Sequence, residues 1–243
     1  MSTGPLDRLL FELTAHYRDR GFPDSALIHL RWTLITNTKA GNIHLETPYP
    51  NCSRPIVDLI GHFSPCPHFS DFSSLSSADA VFGFACGYRM KQWSNAPTAD
   101  AEVKANRLPG ANNAALAEHA QALYSKYNHP LYLQFEIADA LPEGTPKAFT
   151  SCRKDQGTKD VACEFVAHAA SVGQKISTVV VIAHKFHYER CRLVLKRMKI
   201  TGLPTQDQYS GFDPQEAQPR AMSPEEMIVN DFASMAGMAK KDA

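Results

Sequence analysis

The chain of 243 residues balances 25 Lys and Arg against 25 Asp and Glu, so no global field exists to draw nucleic acid or an anionic membrane surface. No apolar run approaches the roughly 18 residues that span a bilayer, and the opening MSTGPLDRLLFELTAH lacks the basic, apolar, small-residue order of a secretory signal, so a cytoplasmic protein is expected. Cys52, Cys66, Cys86, Cys152, Cys163 and Cys191 are too sparse for a disulfide scaffold; reduced thiols are expected, with Cys163 and Cys191 as small core residues inside helices.

Residues 6–19 place Leu9, Leu10, Leu13 and Tyr17 at near-helical spacing, with Gly21 and Pro23 as stop signals, which predicts an amphipathic opening helix. The next apolar pattern, SALIHLRWTLI, fits helix or strand. From Thr38 to Ser77 the chain is rich in Pro, Ser, Asn and Gly around one short run, IVDLIGHF, and reads as a long surface excursion.

Residues 78–86, ADAVFGFAC, read as the first buried strand, and 87–113 as a long polar connection. Residues 114–127 carry a helical pattern, with Leu116, Ala120 and Leu123 or Tyr124 on one side. A second strand is predicted over 130–137, a short third over 147–151, a helix over 161–172, and a fourth strand, STVVVIA, leading into a helix. After Ile200 an extended wrap is predicted, then a final helix near SPEEMIVNDFASMAGM, where the Ser223 hydroxyl can cap and Glu225 and Glu226 suit the helix dipole.

Strands alternating with helices argue for an α/β, parallel-sheet, Rossmann-like three-layer fold. The expected division is 1–77 as helix and Pro/Ser-rich excursion, 78–202 as the core, and 203–243 as an extension packing on it. In such sheets the C-terminal strand ends face a common crevice, so residues after each strand gather in space. That rule collects Cys86, Gly87, Tyr88 and Arg89; Glu136 and Asp139; Arg153, Asp155, Gly157 and Thr158; and His184, Lys185, His187 and Arg190.

Gly83 and Gly87 let backbone approach a ligand, yet the turn is not GxGxxG and no Walker A sequence occurs. Thr158 can cap its helix and offer a hydroxyl beside free N–H groups that suit an anion. Arg190 falls in a first helical turn, where a cation is unfavourable unless an anion is near. His187 and His184 are proton-transfer candidates, Glu136 a base, and Asp139 a partner for a hydroxyl or amine. Arg192, Lys196 and Lys199 read as a solvated stripe. Cys52, His62, Cys66 and His68 are metal-ligand types, but their spacings match no familiar finger or ribbon, and no metal is expected. HExxH, GxSxG and CxxC are absent.

Residues 78–202 resemble the YdcF/SanA-like family of Rossmann-type proteins. The resemblance rests on Gly87 after AVFGFAC, Thr158 with Asp160 in GTKDVACEF, and His187 with Arg190 in VVVIAHKFHYER. The family's Ser-Gly-Gly turn is replaced by FEIAD, and the arginine opening its first long helix by Asn112 or Asn113. The resemblance implies a parallel sheet and a nucleotide-like or S-adenosylmethionine-like ligand.

These readings combine into an enzyme, a transferase or hydrolase, binding an anionic or nucleotide-containing small molecule at the strand C-termini. Arg89, Thr158, His187 and Arg190 would hold the anion, with Gly87, Asp139, Arg153 and Lys185 as further ligand-binding residues. The alternative is a non-catalytic ligand-binding or partner-interaction protein on the same fold. No nucleic acid or membrane partner is expected, and self-association is left open.

Overall fold

Two apolar runs decide where the sheet forms. In the computed structural model, which describes residues 5–19, 21–39, 72–91, 99–152, 157–205, 211–218 and 221–239, they become β1, Ala80–Gly83, and a strand over Thr178–Ile182. Every residue of β1 is buried, as suits a strand covered on both faces. The chain divides into two compact units, one of Met1–His68 with Ser223–Ala243, the other Phe69–Met222.

In the first unit, α1, Pro5–Asp19, buries Leu10, Leu13 and Tyr17, and α2, Asp24–Lys39, buries Ala26, Leu27, Leu30 and Leu34. The three-and-four spacing resolves the helix-or-strand ambiguity of this stretch, because such a set lines one face only in a helix. Gly21, at φ +80°, ends α1: its N–H donates to the Arg18 carbonyl, the Phe22 N–H to that of Tyr17, and the Phe22 and Tyr17 rings meet at 5.3 Å. These are the bonds and the apolar contact of a Schellman cap. Also in this unit, the helix Pro224–Ala239 packs on α2, and its buried Asp231 accepts a hydrogen bond from the Tyr17 hydroxyl. Its start is capped by Ser223, whose hydroxyl accepts the Glu226 N–H.

The second unit holds the sheet. Besides β1 it contains the hairpin strands β2, Arg89–Met90, and β3, Arg107–Leu108, then β4, Leu131–Gln134, β5, Phe149–Ser151, β6, Thr178–Ile182, and β7, Thr201–Pro204. Five strands pair in the order β5-β4-β1-β6-β7, all parallel, while β2 and β3 pair antiparallel in a sheet of their own. The helices are α3, Ala99–Asn106, α4, Ala111–Tyr127, α5, Phe135–Ala138, α6, Thr158–Ser171, and α7, Lys185–Arg197, which makes the C-terminal helix of the first unit α8. They flank both faces: α4 lies on β1 and β6, whereas α6 and α7 pack together over β5, β6 and β7. The predicted Rossmann-like three-layer fold is present. The winding changes direction between β1 and β6, whose C-terminal ends therefore border the crevice.

Several sequence expectations are corrected. The connection 87–113 is not simply polar coil; it holds β2, α3 and β3. The second strand stops at Gln134, the last residue paired with β5, and 135–138 turn into a short buried helix, since an apolar run does not reveal where its partner strand ends. Residues 201–204 form an edge strand instead of entering a wrap; TGLP lacks a strand pattern, but an edge needs one partner only and tolerates its Pro204. Residues 72–77, a 3-10 turn, belong to the sheet unit, and the extension expected over 203–243 is split, the part through 222 staying with the sheet. The metal-type residues Cys52, His62, Cys66 and His68 lie outside the described residues.

The core joins Phe82, Tyr132 and Phe165, with Phe82 and Phe165 5.0 Å apart edge to face. Cys191 is buried as expected, but Cys163 is exposed. The last residue of β1 has no room for a side chain: a Cβ on Gly83 would stand 2.5 Å from Leu133 Cδ2 and 3.3 Å from Ile137 Cδ1. Gly83→Ala is expected to destabilise the fold by about 1–3 kcal/mol in urea titration, as overpacking does.

Candidate functional site

Beyond β1 the chain enters a turn in which Gly87 takes φ +76°. Asn113, in the first turn of α4, braces that turn twice: its Oδ1 accepts the Cys86 N–H at 2.9 Å and its Nδ2 donates to the Gly87 carbonyl at 2.8 Å. Asn113 thus holds backbone on both sides of the turn. Arg89 follows, and its Nε donates to Asp213 Oδ2 at 2.8 Å while its guanidinium makes an ion pair with the same oxygen at 2.7 Å. That oxygen also accepts the N–H of Ala111, the first residue of α4, and Oδ1 accepts the Gln215 N–H. Burial pushes the Asp213 carboxyl up, but the N–H groups of Gln215 and Ala111 and the Arg89 guanidinium outweigh it and hold it below the usual aspartate value.

Glu216 has the opposite environment. It is 4% exposed, and among the described residues neither carboxyl oxygen has a well-formed hydrogen bond. Its carboxyl lies against two glycines: a Cβ on Gly87 would meet Glu216 Oε2 at 2.6 Å, and one on Gly110, the N-cap of α4, would collide with Glu216 Oε1. Desolvation, then the negative charge of Asp213, raises its pKa to about 7, with Glu136 adding in the same sense and Arg89 and the Tyr88 backbone N–H opposing. Glu136 is itself paired with Arg107 at 2.8 Å, and the Arg107 guanidinium lies 4.0 Å over the Tyr88 ring. The Tyr88 carbonyl accepts the Ala217 N–H.

The other half of the crevice begins at the end of β6. His184 is fully buried and engaged at both ring nitrogens: Nε2 donates to the Gly211 carbonyl at 2.7 Å, and Nδ1 accepts the Phe186 N–H as the N-cap of α7. Burial lowers its pKa to about 4, so the ring is neutral. In this structure His184, expected as a proton-transfer group, caps α7 and holds the Gly211 carbonyl. Phe212 packs on His184 and Phe186, with ring centroids 4.9 and 5.9 Å apart. His187 is buried one turn on, and Arg190 donates to its Nδ1 from Nε and a terminal nitrogen, at 3.1 and 2.8 Å.

Of the residues named from sequence, Gly87, Arg89 and Glu136 come together around Glu216, and His184, His187 and Arg190 gather at the start of α7. Lys185 is exposed, with Nζ 5.6 Å from the Phe186 ring, and Asp139 is exposed at the end of α5, outside the buried cluster. Thr158 is not the cap of α6: Gly157 holds that position and its N–H is accepted by Asp160. Arg153 lies outside the described residues. Sequence reasoning missed Asp213, Glu216 and Arg107. The Asp-Pro pair at 213–214 marks a turn, and Asp213 Oδ1 does cap it at Gln215, but nothing local says that the turn lies over the strand ends.

Among the described residues no group of three or more His, Cys, Asp or Glu side chains could hold a metal ion, and no helix is long and apolar enough to cross a membrane. The fold and site define a Rossmann-like α/β protein with a charged cluster at the strand C-termini. No family model, curated protein or solved structure matches the chain.

The two shifted groups oppose each other in pH. Glu216 favours the folded state below its ordinary value of 4.5, a contribution lost as pH rises through about 7; His184 contributes above 6.5 and loses it as pH falls through about 4. Each effect is worth about 3 kcal/mol. Glu216→Gln should therefore show an uncompensated loss of stability from pH 6.5 toward 4, and His184→Asn a loss from pH 4.5 toward 7, in melts against pH. Curves parallel to the parent protein would refute both assignments.

Proposed function

We propose that this chain is a small-molecule enzyme, a transferase or hydrolase, that binds an anionic or nucleotide-containing ligand at the C-terminal ends of β1 and β6. The observation that supports this most is Glu216: a buried carboxyl with both oxygens unpartnered and a pKa of about 7, beside Arg89 and the Glu136–Arg107 pair. A structural role would give such a group hydrogen bonds, because an unsatisfied buried carboxyl costs stability, whereas a group divided between its two forms near neutral pH suits proton transfer.

In this reading, ionised Glu216 takes the proton of an attacking water or hydroxyl, and in its protonated form returns one to the leaving group. Arg89 supplies positive charge for the ligand's anionic group. His187, held by Arg190, is the second proton-transfer candidate. The resemblance to the YdcF/SanA-like family contributes the ligand class, nucleotide-like or S-adenosylmethionine-like.

A non-catalytic binding or partner-interaction protein is the second reading. It is favoured by the internal pairing of Arg89 with Asp213 and of Arg107 with Glu136, which leaves the cluster charges satisfied without a ligand.

A thermal-shift panel of nucleotides, S-adenosylmethionine, its demethylated product and sugar phosphates separates the two, because a ligand that binds only the folded state raises the melting temperature. The enzyme reading expects a shift from one class, abolished by Arg89→Ala. With that compound as substrate, Glu216→Gln should keep the shift and lower turnover by about 10²–10⁴-fold. A panel with no shift would reject the enzyme reading.

A further inference from the structure

The ends of β1 and β6, where an open parallel sheet receives its ligand, are covered by the chain's own residues 211–218. The Gly211 carbonyl takes the His184 Nε2–H, Phe212 packs on His184 and Phe186, and the Ala217 N–H reaches the Tyr88 carbonyl. Between these anchors Asp213 reaches the start of α4. One of its oxygens, Oδ2, receives the Ala111 N–H at 3.1 Å, the Arg89 Nε–H at 2.8 Å and the ion pair to the Arg89 terminal nitrogen at 2.7 Å. A helix N-terminal N–H converging with an arginine fork is the donor set that a phosphate or carboxylate calls for.

A second observation points to the same seat. Glu216 is 96% buried by its exposure of 4%, its oxygens are unpartnered, and one of them is directed at Gly110, the N-cap of α4. Two carboxyls thus converge with donors unevenly shared: Asp213 takes the Ala111 and Gln215 N–H groups and the Arg89 guanidinium, while on Glu216 only the Tyr88 N–H acts, short of a well-formed hydrogen bond. Glycines at 87 and 110 leave the room that this crowding needs, since a Cβ at either would collide with the Glu216 carboxyl.

We propose that Asp213 stands in for the anionic group of the ligand, so that residues 211–218 are an internal competitor for the crevice and a phosphate- or carboxylate-bearing ligand binds by displacing Asp213 from Arg89 and Ala111. This rests on the ligand site of the proposed function and adds its regulation. Displacement exchanges one anion for another on Arg89 and the Ala111 N–H, so Glu216 keeps a negative neighbour when the ligand is seated. The occupant and the ligand are mutually exclusive, and any change that weakens the Asp213 seat strengthens ligand binding.

The test is calorimetric titration of the full chain with inorganic phosphate, ionic strength matched with chloride, on the parent protein and Asp213→Asn. Asparagine keeps one oxygen, which serves either the Ala111 or the Gln215 N–H where the aspartate serves them with different oxygens, and it gives up the charge on Arg89. Phosphate affinity is expected to rise by roughly tenfold or more, the scale of a charge-assisted bond, and Arg89→Ala added to Asp213→Asn should remove the gain. Equal phosphate affinity in parent and Asp213→Asn overturns the competitor and leaves the enzyme reading standing. No binding of phosphate to either protein, together with no shift from the nucleotide panel, overturns both. Should Asp213→Asn fail to fold, amide exchange on the parent protein decides: high phosphate should speed exchange at Gln215, Glu216 and Ala217, and unchanged or slower exchange overturns the proposal.

Discussion

The asymmetry between two carboxylates three residues apart organises the upper edge of the sheet. Asp213 is supplied with two backbone N–H groups and a guanidinium, whereas the buried Glu216 carboxyl makes no well-formed hydrogen bond among the described residues. In a medium that solvates charge poorly, the first stays ionised and its charge pushes the second toward the protonated form. Both depend on the Gly87 turn and on Gly110, because side chains there would occupy the space of the Glu216 carboxyl. Asn113 makes that turn rigid by bonding to either side of it.

The opposite edge of the sheet is closed by a simpler device. The Asp79 carboxylate accepts the N–H groups of Ser177 and Thr178 and the Ser177 hydroxyl, tying the start of β1 to the start of β6. Burial works against its charge, yet these bonds prevail and keep its pKa below the usual value. An aspartate with its full complement of donors is a structural clamp, and the comparison with Glu216 makes the difference plain. The half-buried Asp79 and the buried Glu216, at opposite ends of the sheet, are separated in character by depth of burial, by the Asp213 charge beside Glu216 and by hydrogen-bond supply.

The histidines illustrate how position and chemistry part company. His184 stands just past β6, where sequence reasoning expects a reactive group, but the helix that begins there needs a cap and the Gly211 carbonyl needs a donor. Meeting both demands fixes the ring as neutral, with Nε2 carrying the proton. The carboxyl that does titrate near neutral pH arrives from a different part of the chain.

Local sequence determined most of the elements. β-Branched runs fit the buried strand β6, three-and-four apolar spacing made α4 and α6 legible, and the alternation of the two implied the parallel sheet and its crevice. Gly87, Arg89 and Glu136 were placed in the cluster by the same rule, because each follows a strand. The tertiary structure decided the rest. β7 exists only because β6 offers an unpaired edge to a segment with no strand pattern of its own. Arg89 and Asp213 meet across 124 positions, and Arg107 and Glu136 across 29. Neither pairing has a local signature, since charge complementarity in a sequence names no partner; the partner is chosen by which loop ends over which strand. Glu216 is the extreme case: exposed, it would be an ordinary surface glutamate, and burial against two glycines and a second carboxylate gives it a different chemistry.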